Sequence, residues 1–383
     1  MFHAASHHLA ATQPLSRRAF TTSCAFGMLA GMGLAGCGNA NTTPGSTPAG
    51  SASGSGTDGA ATTVTTMRVG ALKGPTGMGL VGLMDHVGAI QKPEDAGDDS
   101  VVGTNPAGIG SLKNTYEFTL AGSADELAPQ LIQGDLDVLC VPANLAATLY
   151  QKTDGAVQVL CVNTLGVLDI VEVGETITTM ADLRGRTLYS AGKGSTPQYA
   201  LEFLLRTAGV DPATDATIQW CSEHAECLAA LQNDPTAVAM LPQPFATNAL
   251  TKLEGARIAL DLTDVWNEAM TDADQPSQLI TGVAVARTEF IENFPDAIEE
   301  FLDAYATSVD FVNCEPAEAA QLIEAAGIIA AAVAEQAIPY CNIVCETGGD
   351  MQADLAGYLQ TLFDADPASV GGALPGDAFY YLG

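Results

Sequence analysis

The chain has 383 residues, with 14 Lys and Arg against 45 Asp and Glu, and its formal net charge is −31. A hydrophobic content of 47% with only 15% charged residues excludes a wholly disordered chain, and the length suffices for two compact units. The acidic balance argues against binding to nucleic acid and against docking on anionic lipid through a basic patch, because both need clustered Lys and Arg.

The first 36 residues have the pattern of an export signal. Arg17 and Arg18 precede an apolar run of small residues, 19–34, which is too short and too rich in glycine to form a stable membrane span. The string Leu-Ala-Gly-Cys ending at Cys37 resembles a bacterial lipobox, in which the cysteine becomes the lipid-carrying first residue. Residues 16–20 (SRRAF) also resemble a twin-arginine signal, and the sequence leaves both export routes open.

Residues 37–66 consist almost entirely of Gly, Ser, Thr, Ala, Asn and Pro. Such a segment buries too little apolar surface to offset its ordering entropy, so we expect a flexible tether. Lipid, tether and globule together predict a protein anchored on the extracytoplasmic face of the cell membrane. Its acidity opposes self-association, and we expect a monomer.

Beyond the tether, strand and helix patterns alternate. Strands are predicted at residues 67–72, 116–120, 137–141, 157–163, 167–173, 187–190, 217–220 and 237–241. Helices are predicted from 79 to about 86, at 123–134, after 142, and at 289–312, 316–337 and 350–363. Short apolar runs between amphipathic helices indicate parallel sheets covered on both faces, and the two cycles predict two α/β lobes.

Four turns between a strand and the next helix stand out: 73–77 (KGPTG), 142–144 (PAN), 192–197 (GKGSTP) and 242–245 (PQPF). In open α/β sheets, ligands bind beyond the carboxyl ends of the strands, where these turns lie. Lys73 and Lys193 both fall in these turns, although the chain has few cationic residues. This placement indicates an anionic or carboxylate-like ligand; the alternative is a set of tight turns with solvated lysines.

The sequence gives little support for a nucleotide-binding site or a catalytic site. The string at 192–196 lacks the first glycine of a phosphate loop, because Thr187 stands in its place. Only His86 and His224 remain beyond the signal, and neither belongs to a recognisable Ser/His or Cys/His pair, so we predict no catalytic residue and no cofactor.

Seven cysteines remain after the signal cysteine Cys24 and the lipidated Cys37. Two pairs are close enough in sequence to form disulfides: Cys221 with Cys227, and Cys341 with Cys345. Cys221, His224 and Cys227 resemble half of a metal site, but no second cluster supplies the remaining ligands. We therefore predict no metal.

Several strings match a known family in order. They are 70–76 (GALKGPT), 135–138 (DLDV) through 142–146 (PANLA), 164–168 (TLGVL), 182–185 (DLRG) with 192–194 (GKG), 241–245 (LPQPF), and 371–375 (GGALP) with 379–381 (FYY). As an ordered set they resemble the solute-binding lipoproteins of ABC importers in the nitrate/sulfonate/taurine group, which is related to the thiamine-precursor binding proteins. The resemblance extends from residue 67 to the C-terminus.

This resemblance implies a type II periplasmic-binding-protein fold, with two α/β lobes joined by a hinge and a ligand cleft between them. The solute-binding domain would span 67–383, with an outer lobe of about 67–165 and 259–383 and an inner lobe of about 166–258. Carried over by position, the ligand-binding residues would be Lys73, Gly74, Thr76, Gly77, Asn144, Thr164, Gly192, Lys193, Gly194, Ser195, Thr196 and Gln243.

The expected function is that of the substrate-binding component of an ABC importer, which captures a small polar, anionic or carboxylate/sulfonate-like solute and delivers it to the permease. The acidity of the chain is extreme for a protein that binds anions. Two alternatives use the same fold: an enzyme resembling menaquinone- or thiamine-precursor synthases, or a ligand-sensing binding protein for a membrane receptor.

Overall fold

The computed structural model describes residues 64–91, 100–234, 236–271 and 277–383. The chain divides into two units, Met1–Gly59 and Ala60–Gly383, and all of the described residues belong to the second. The predicted export signal, Cys37 and the tether up to residue 63 lie outside the described residues. Among these residues, no helix is long and apolar enough to cross a membrane.

Six strands form the first sheet: β1 (Thr66–Leu72), β2 (Thr115–Ala121), β3 (Val138–Pro142), β4 (Val157–Leu165), β10 (Ile280–Arg287) and β11 (Ile343–Glu346). Their order across the sheet is β11-β4-β10-β3-β1-β2. β1 is parallel to β2 and β3, whereas β10 is antiparallel to both β3 and β4. The sheet is therefore mixed, with β10 running against its neighbours through the centre.

The second sheet has five strands: β5 (Leu168–Val173), β6 (Thr187–Ala191), β7 (Thr217–Cys221), β8 (Val238–Pro242) and β9 (Ala256–Asp261). Their order is β7-β6-β8-β5-β9. β6 is parallel to β7 and β8, and β5 is antiparallel to β8 and β9. All of these strands come from one continuous stretch of chain, whereas those of the first sheet come from both sides of it.

Helices cover the two sheets: α1 (Pro75–Met78), α2 (Val81–His86), α3 (Ala124–Gln133), α4 (Ala143–Lys152), α5 (Thr196–Thr207), α6 (His224–Asn233), α7 (Phe245–Lys252), α8 (Leu262–Ala269), α9 (Thr288–Asn293), α10 (Pro295–Cys314), α11 (Pro316–Ala325), α12 (Ala331–Ala337) and α13 (Gly348–Ala365). Short 3₁₀ turns occur at Met180–Leu183, Ile338–Tyr340, Pro367–Val370 and Asp377–Phe379. Each sheet with its helices makes one lobe, and the chain passes from the first lobe to the second between β4 and β5.

The helix predicted at 123–134 shows how the local sequence sets an element's ends. Ser123 accepts a hydrogen bond from the backbone N–H of Asp125 at the start of α3, and Gly134 ends the helix with a φ of 81°. A short polar residue satisfies a free N–H at a helix start, and glycine adopts the left-handed conformation without a Cβ penalty. This prediction is confirmed.

Asp137 ties three neighbouring strands of the first sheet together. Its side chain is 1% exposed and forms ion pairs with Arg68 on β1, at 2.7 Å, and with Arg287 at the end of β10, at 2.9 Å. Hydrogen bonds from these arginines lower the pKa of Asp137, although burial opposes them. In the second sheet, Glu172 on β5 is paired in the same way with Arg257 on β9.

Three sequence-based expectations of the architecture are wrong in detail. Both sheets are mixed rather than parallel, because β10 and β11 run antiparallel to their neighbours in the first sheet and β5 runs antiparallel to β8 and β9 in the second. The helix expected over 289–312 is interrupted at Phe294, where φ is −137°, and Pro295 opens α10 instead. Residues 316–337 form two helices rather than one. The proline at the first position of α10 explains why a new helix begins there, since proline has no backbone N–H to donate to a carbonyl oxygen of α9.

The apolar core continues from one lobe to the other. One cluster of buried side chains includes Leu139 and Val141 of the first sheet together with Ile170 and Met240 of the second. Aromatic rings extend the contact, with Phe203 of α5 lying 4.9 Å from Trp266 of α8, and Trp266 lying 5.5 Å from Tyr358 of α13. The lobes are thus packed against each other along one side.

Candidate functional site

The predicted ligand-binding residues all lie near the ends of strands. Lys73 follows β1, Asn144 follows the last residue of β3, and Thr164 is near the end of β4. In the second lobe, the turn 192–195 follows β6, and Gln243 follows β8. These strand ends belong to two different sheets, which are connected between β4 and β5.

Asn144 and Thr196 join the two lobes directly. The Thr196 hydroxyl donates to Oδ1 of Asn144 at 3.2 Å, and Nδ2 of Asn144 donates to the carbonyl oxygen of Ser369 at 2.9 Å. Both predicted site residues are 0% exposed. Next to them, the hydroxyl groups of Tyr358 and Ser369 are buried without a hydrogen-bond partner among the described residues. Both polar ends of the Asn144 amide are therefore already bonded.

In the first lobe, the structure brings Thr76 and Thr164 together around Gly282 on β10. A Cβ at Gly282 would lie 2.7 Å from Cγ2 of Thr76 and 3.1 Å from Cβ of Thr164, so only glycine allows this approach. The Thr164 hydroxyl donates to Oδ1 of Asn163 at 3.1 Å. Asn163 is buried and its Nδ2 has no partner among the described residues, which leaves a donor that the sequence analysis missed.

Gly74 and Gly77 occupy different environments in the turn after β1. A Cβ at Gly77 would lie 2.6 Å from the carbonyl oxygen of Leu72, whereas a Cβ at Gly74 would meet nothing within 4 Å. Gly77 is therefore required by close backbone approach, and Gly74 is not. The Thr76 hydroxyl donates to the same Leu72 carbonyl at 3.3 Å.

The turn before α5 satisfies most of its own polar groups. Gly192 and Gly194 have φ values of 82° and 79°, which non-glycine residues rarely adopt. The Ser195 hydroxyl donates to the carbonyl oxygen of Gly192 at 2.8 Å, and the N–H of Gly194 donates to Oε1 of Gln198 at 2.7 Å. Local hydrogen bonds thus fix the conformation of the turn, and only some of its polar groups remain available to bind a ligand.

Lys73 and Lys193 are both exposed. Among the described residues, neither ammonium group has a carboxylate partner within ion-pair distance, since the ion pairs found there all use arginine. Their charge is therefore not neutralised by the fold.

Gln243 is 2% exposed and bonded at both ends of its amide. Nε2 donates to Oδ2 of Asp169 at 2.9 Å, and Oε1 accepts from the hydroxyl of Thr247 at 2.8 Å. Asp169 lies on β5 directly opposite Asp261 on β9. Burial, and after it the charge of Asp261, raises the pKa of Asp169 to about 8.

Asp169, Asp261 and Gln243 line a cavity of about 240 Å³ between the lobes, beside the β4–β5 connection. We call it the hinge cavity, and its lining includes Val167, Asp169, Gln243, Asp261, Tyr340 and Asn342. Of these, only Gln243 was predicted as a site residue. Asp169 carried one signal that the sequence analysis did not use: a carboxylate inside an apolar strand.

The cysteine and histidine expectations concern residues that do not themselves line the hinge cavity, although Cys341 lies between two residues that do. Cys221, Cys227, Cys341 and Cys345 are free thiols, so neither suggested disulfide is present. Burial lowers the pKa of His224 to about 4, and its ring lies 5.4 Å from that of Phe245. Within the described ranges, no three His, Cys, Asp or Glu side chains are grouped so that they could hold a metal ion.

Residues 111–337 match the family described as "ABC transporter, phosphonate, periplasmic substrate-binding protein". The match covers more than half of the chain, and the chain belongs to this family. It is therefore an extracytoplasmic substrate-binding component of an ABC transporter, and proteins of this kind deliver small solutes to ABC permeases. The family is one of transport proteins rather than of enzymes.

Solved structures share the fold. An ABC transporter protein from Parabacteroides distasonis is 22% identical with a TM-score of 0.63, covering 82% of this chain and 98% of that one. The periplasmic aliphatic sulphonate binding protein SsuA from Escherichia coli is 17% identical with a TM-score of 0.60, covering 81% and 92%. The alkanesulfonate-binding protein SsuA from Xanthomonas axonopodis pv. citri, bound to MOPS, is 15% identical with a TM-score of 0.57, covering 81% and 94%. A search of curated proteins finds no match.

These neighbours confirm the predicted fold class, a type II periplasmic-binding-protein fold in which two α/β lobes are joined by a hinge. The family assignment likewise confirms the predicted function of a substrate-binding component of an ABC transporter.

Proposed function

We propose that the protein is a lipid-anchored receptor that captures a small polar solute by closing its two lobes and then presents the closed form to an ABC permease. The observation that carries this proposal is the buried hydrogen bond from Thr196 to Asn144, which joins helices that follow strands of different sheets. A second approach between the lobes brings Gly122, which follows β2, close to Glu223, which precedes α6: a Cβ at Gly122 would be 3.2 Å from Oε1 of Glu223. In this proposal both contacts belong to the closed form, because each joins one lobe to the other.

The connection between the lobes suits a hinge. Gly166 lies in the short passage from β4 to β5, and its carbonyl oxygen accepts a hydrogen bond from Nδ2 of Asn342. Next to it, the N–H of Leu165 donates to the carbonyl oxygen of Asn342 at 3.1 Å. A few residues at the ends of elements are what absorb the dihedral changes of domain closure. We assign the outer lobe to about 67–165 and 259–383 and the inner lobe to about 166–258.

The proposal is tested by a thermal-shift screen of the purified protein against sulfonates, taurine, nitrate, carboxylates, pyrimidines and amines. A solute at 100 times its dissociation constant adds about 2.7 kcal/mol to the free energy of unfolding, which moves the melting temperature measurably. Any hit is then checked by small-angle scattering, where closure reduces the radius of gyration. A ligand that binds tightly without any change in scattering or in the Asn144–Thr196 contact would contradict capture by closure.

An anionic solute is supported by Lys73 and Lys193, which form no ion pair with any described residue, and by the buried Thr196 at the start of α5. A helix start favours negative charge because its N–H groups and dipole point toward it. In this arrangement Lys73 would approach the solute from the first lobe and Lys193 from the second. The extreme net charge of −31 acts against long-range attraction of such a solute.

Membrane attachment is proposed to depend on Cys37. Replacing Cys37 with serine removes the thiol that would carry the lipid and is expected to shift the protein from the membrane fraction to the soluble fraction after cell lysis. Cys24→Ser, in the predicted signal, is the control and should leave the distribution unchanged. The monomeric state is proposed from charge repulsion, and light scattering on the purified protein measures it directly.

A further inference from the structure

The hinge cavity is lined by two carboxylates, those of Asp169 and Asp261, and by no described lysine or arginine. The side chains of Asp169 and Asp261 occupy directly opposite positions on antiparallel strands, a pairing that places them on the same face of the sheet. Like charges in opposite positions destabilise a sheet, and a buried carboxylate without a cationic partner costs still more. Asp261 has a structural role as the N-cap of α8, so Asp169 is the member of the pair whose position needs another explanation.

Asp169 is the buried member of the pair. It is 5% exposed and accepts one hydrogen bond, at Oδ2, from the neutral amide of Gln243. Its Oδ1 receives none from the described residues, and no described Lys or Arg forms an ion pair with it or lines the cavity. This differs from Asp137, which precedes β3, and from Glu172 on β5, since these two buried carboxylates are both paired with arginine.

The cavity is also lined by an aromatic ring that is not buried in the hydrophobic core. Tyr340 is 63% exposed, one of few large apolar side chains so exposed among the described residues, and it lines the cavity from the first lobe. An exposed ring beside carboxylates is a combination that attracts cations, through the negative face of the ring and the charge of the acids. The volume of about 240 Å³ lies below the roughly 300 to 1,000 Å³ of common ligand pockets, which limits the occupant to a small solute.

We propose that the hinge cavity binds a small organic cation, held by the carboxylates of Asp169 and Asp261 and by the ring of Tyr340. This inference rests on the proposed function, since residues of both lobes line the cavity, and it gives the captured solute the charge opposite to the one that Lys73 and Lys193 favour. The net charge of −31 then has a physical consequence, because an acidic surface raises the local concentration of a cation and speeds its association.

The probes are propylammonium and choline, compared with 1-propanol and propane-1-sulfonate, which match propylammonium in chain length but are neutral and anionic. Isothermal titration calorimetry on the purified protein is expected to show binding of the two cations and none of the other two. If propane-1-sulfonate binds and the cations do not, solute capture stands and the cation assignment is wrong. If neither series binds to the folded protein, the cation assignment is also wrong, and the wider solute screen with scattering decides capture separately.

Variants locate the binding. Asp169→Asn keeps the shape and the bond to Gln243, and it is expected to weaken cation binding by about tenfold to a hundredfold, the range for a hydrogen bond to a charged group. Asp261→Asn should weaken it too while still capping α8, because Asn and Asp are equally good N-caps. Asp310→Asn, an exposed acid on α10, is the control and should bind normally. Unchanged affinity in both cavity variants would place any cation elsewhere and overturn the inference.

The pH dependence of choline binding gives an independent readout, because the charge of choline does not change with pH. Its affinity should rise with pH toward about 8, as Asp169 loses its proton. The other titratable groups around Asp169 are Asp261 on β9, Tyr340 of the lining, and Cys341, whose pKa burial raises so that the thiol stays neutral. A flat affinity between pH 5 and 9 would contradict a role for Asp169.

Discussion

The hydroxyl group of Thr196 donates a hydrogen bond to the side-chain oxygen of Asn144 across 52 residues of sequence and between two lobes. Asn144 belongs to α4, which follows β3 of the first sheet, and Thr196 opens α5, which follows β6 of the second. Both residues are fully buried, so the bond has no competing water. The packing of the two lobes against each other therefore depends in part on this hydroxyl group.

Thr196→Val tests this dependence. Valine keeps the volume but leaves Oδ1 of Asn144 buried without its donor, and we expect the free energy of unfolding to fall by about 1 to 3 kcal/mol. Urea denaturation measures the change. Thr207→Val, at the exposed end of the same helix, is the matched control and should change the free energy by less than about 0.5 kcal/mol. Equal effects of the two substitutions would show that the bond between the lobes adds nothing.

Lys193→Ala tests the anion hypothesis for the cleft turns. If Lys193 contacts the solute, its removal should weaken binding of an anionic ligand by about tenfold, a typical value for a hydrogen bond to a charged group. Lys113→Ala, an exposed lysine outside the predicted site residues, should leave the affinity unchanged. Calorimetric titration of whichever anion the screen identifies makes the comparison, and equal losses in both variants would reject the hypothesis.

Two glycines in the turn after β1 should respond differently to alanine. Gly77→Ala places a methyl group 2.6 Å from a backbone oxygen, so we expect a loss of about 1 to 3 kcal/mol from overpacking. Gly74→Ala meets open space, and the φ of Gly74 is extended at 165°, so its effect should stay within about 0.5 kcal/mol. Thermal denaturation of both variants is the measurement. A larger loss for Gly74→Ala would mean that the turn is shaped differently.

Asp137 should make the protein sensitive to acid. Its pKa is lowered in the folded state by hydrogen bonds from Arg68 and Arg287, so its stabilisation is complete above the unfolded value of about 3.9 and is lost as the pH falls through the folded value. Asp137→Ala should cost about 3 to 5 kcal/mol near neutral pH, because two partly buried arginines lose their partner. Denaturation curves between pH 2 and 7 test both statements, and a variant that keeps the wild-type acid sensitivity would contradict them.

Asp169 should destabilise the protein as the pH rises, whereas Asp137 should destabilise it as the pH falls. Its folded pKa of about 8 exceeds the unfolded value, so its contribution is complete below about pH 3.9 and is lost as the pH rises through 8. Over that window the free energy of unfolding should fall by up to about 1.4 kcal/mol per pH unit from this group alone. Asp169→Asn removes the titration and should make the protein more stable than the wild type at pH 8. A lower stability of the variant at that pH would contradict a raised pKa.

The candidate site was predicted only in part, because local sequence patterns indicate where strands end but not which distant residues the side chains there contact. The turns of Lys73, Asn144, Gly192 and Gln243 were placed correctly at strand ends, since short apolar runs followed by Gly, Pro or Asn have a strong local signal. The roles of these residues are decided by distant partners, such as Ser369 for Asn144 and Asp169 for Gln243.

The sequence by itself determined the composition of the protein, its alternation of strands and helices, and, through ordered strings of turn residues, its family. These features depend on neighbours a few residues away, and local propensity reports them. Only the tertiary structure decided that β10 runs against its neighbours, that Thr196 meets Asn144, and that Asp169 faces Asp261 over a cavity without a described cationic residue. These relationships join residues far apart in the chain, and the energies that fix them, burial and charge, depend on the folded surroundings.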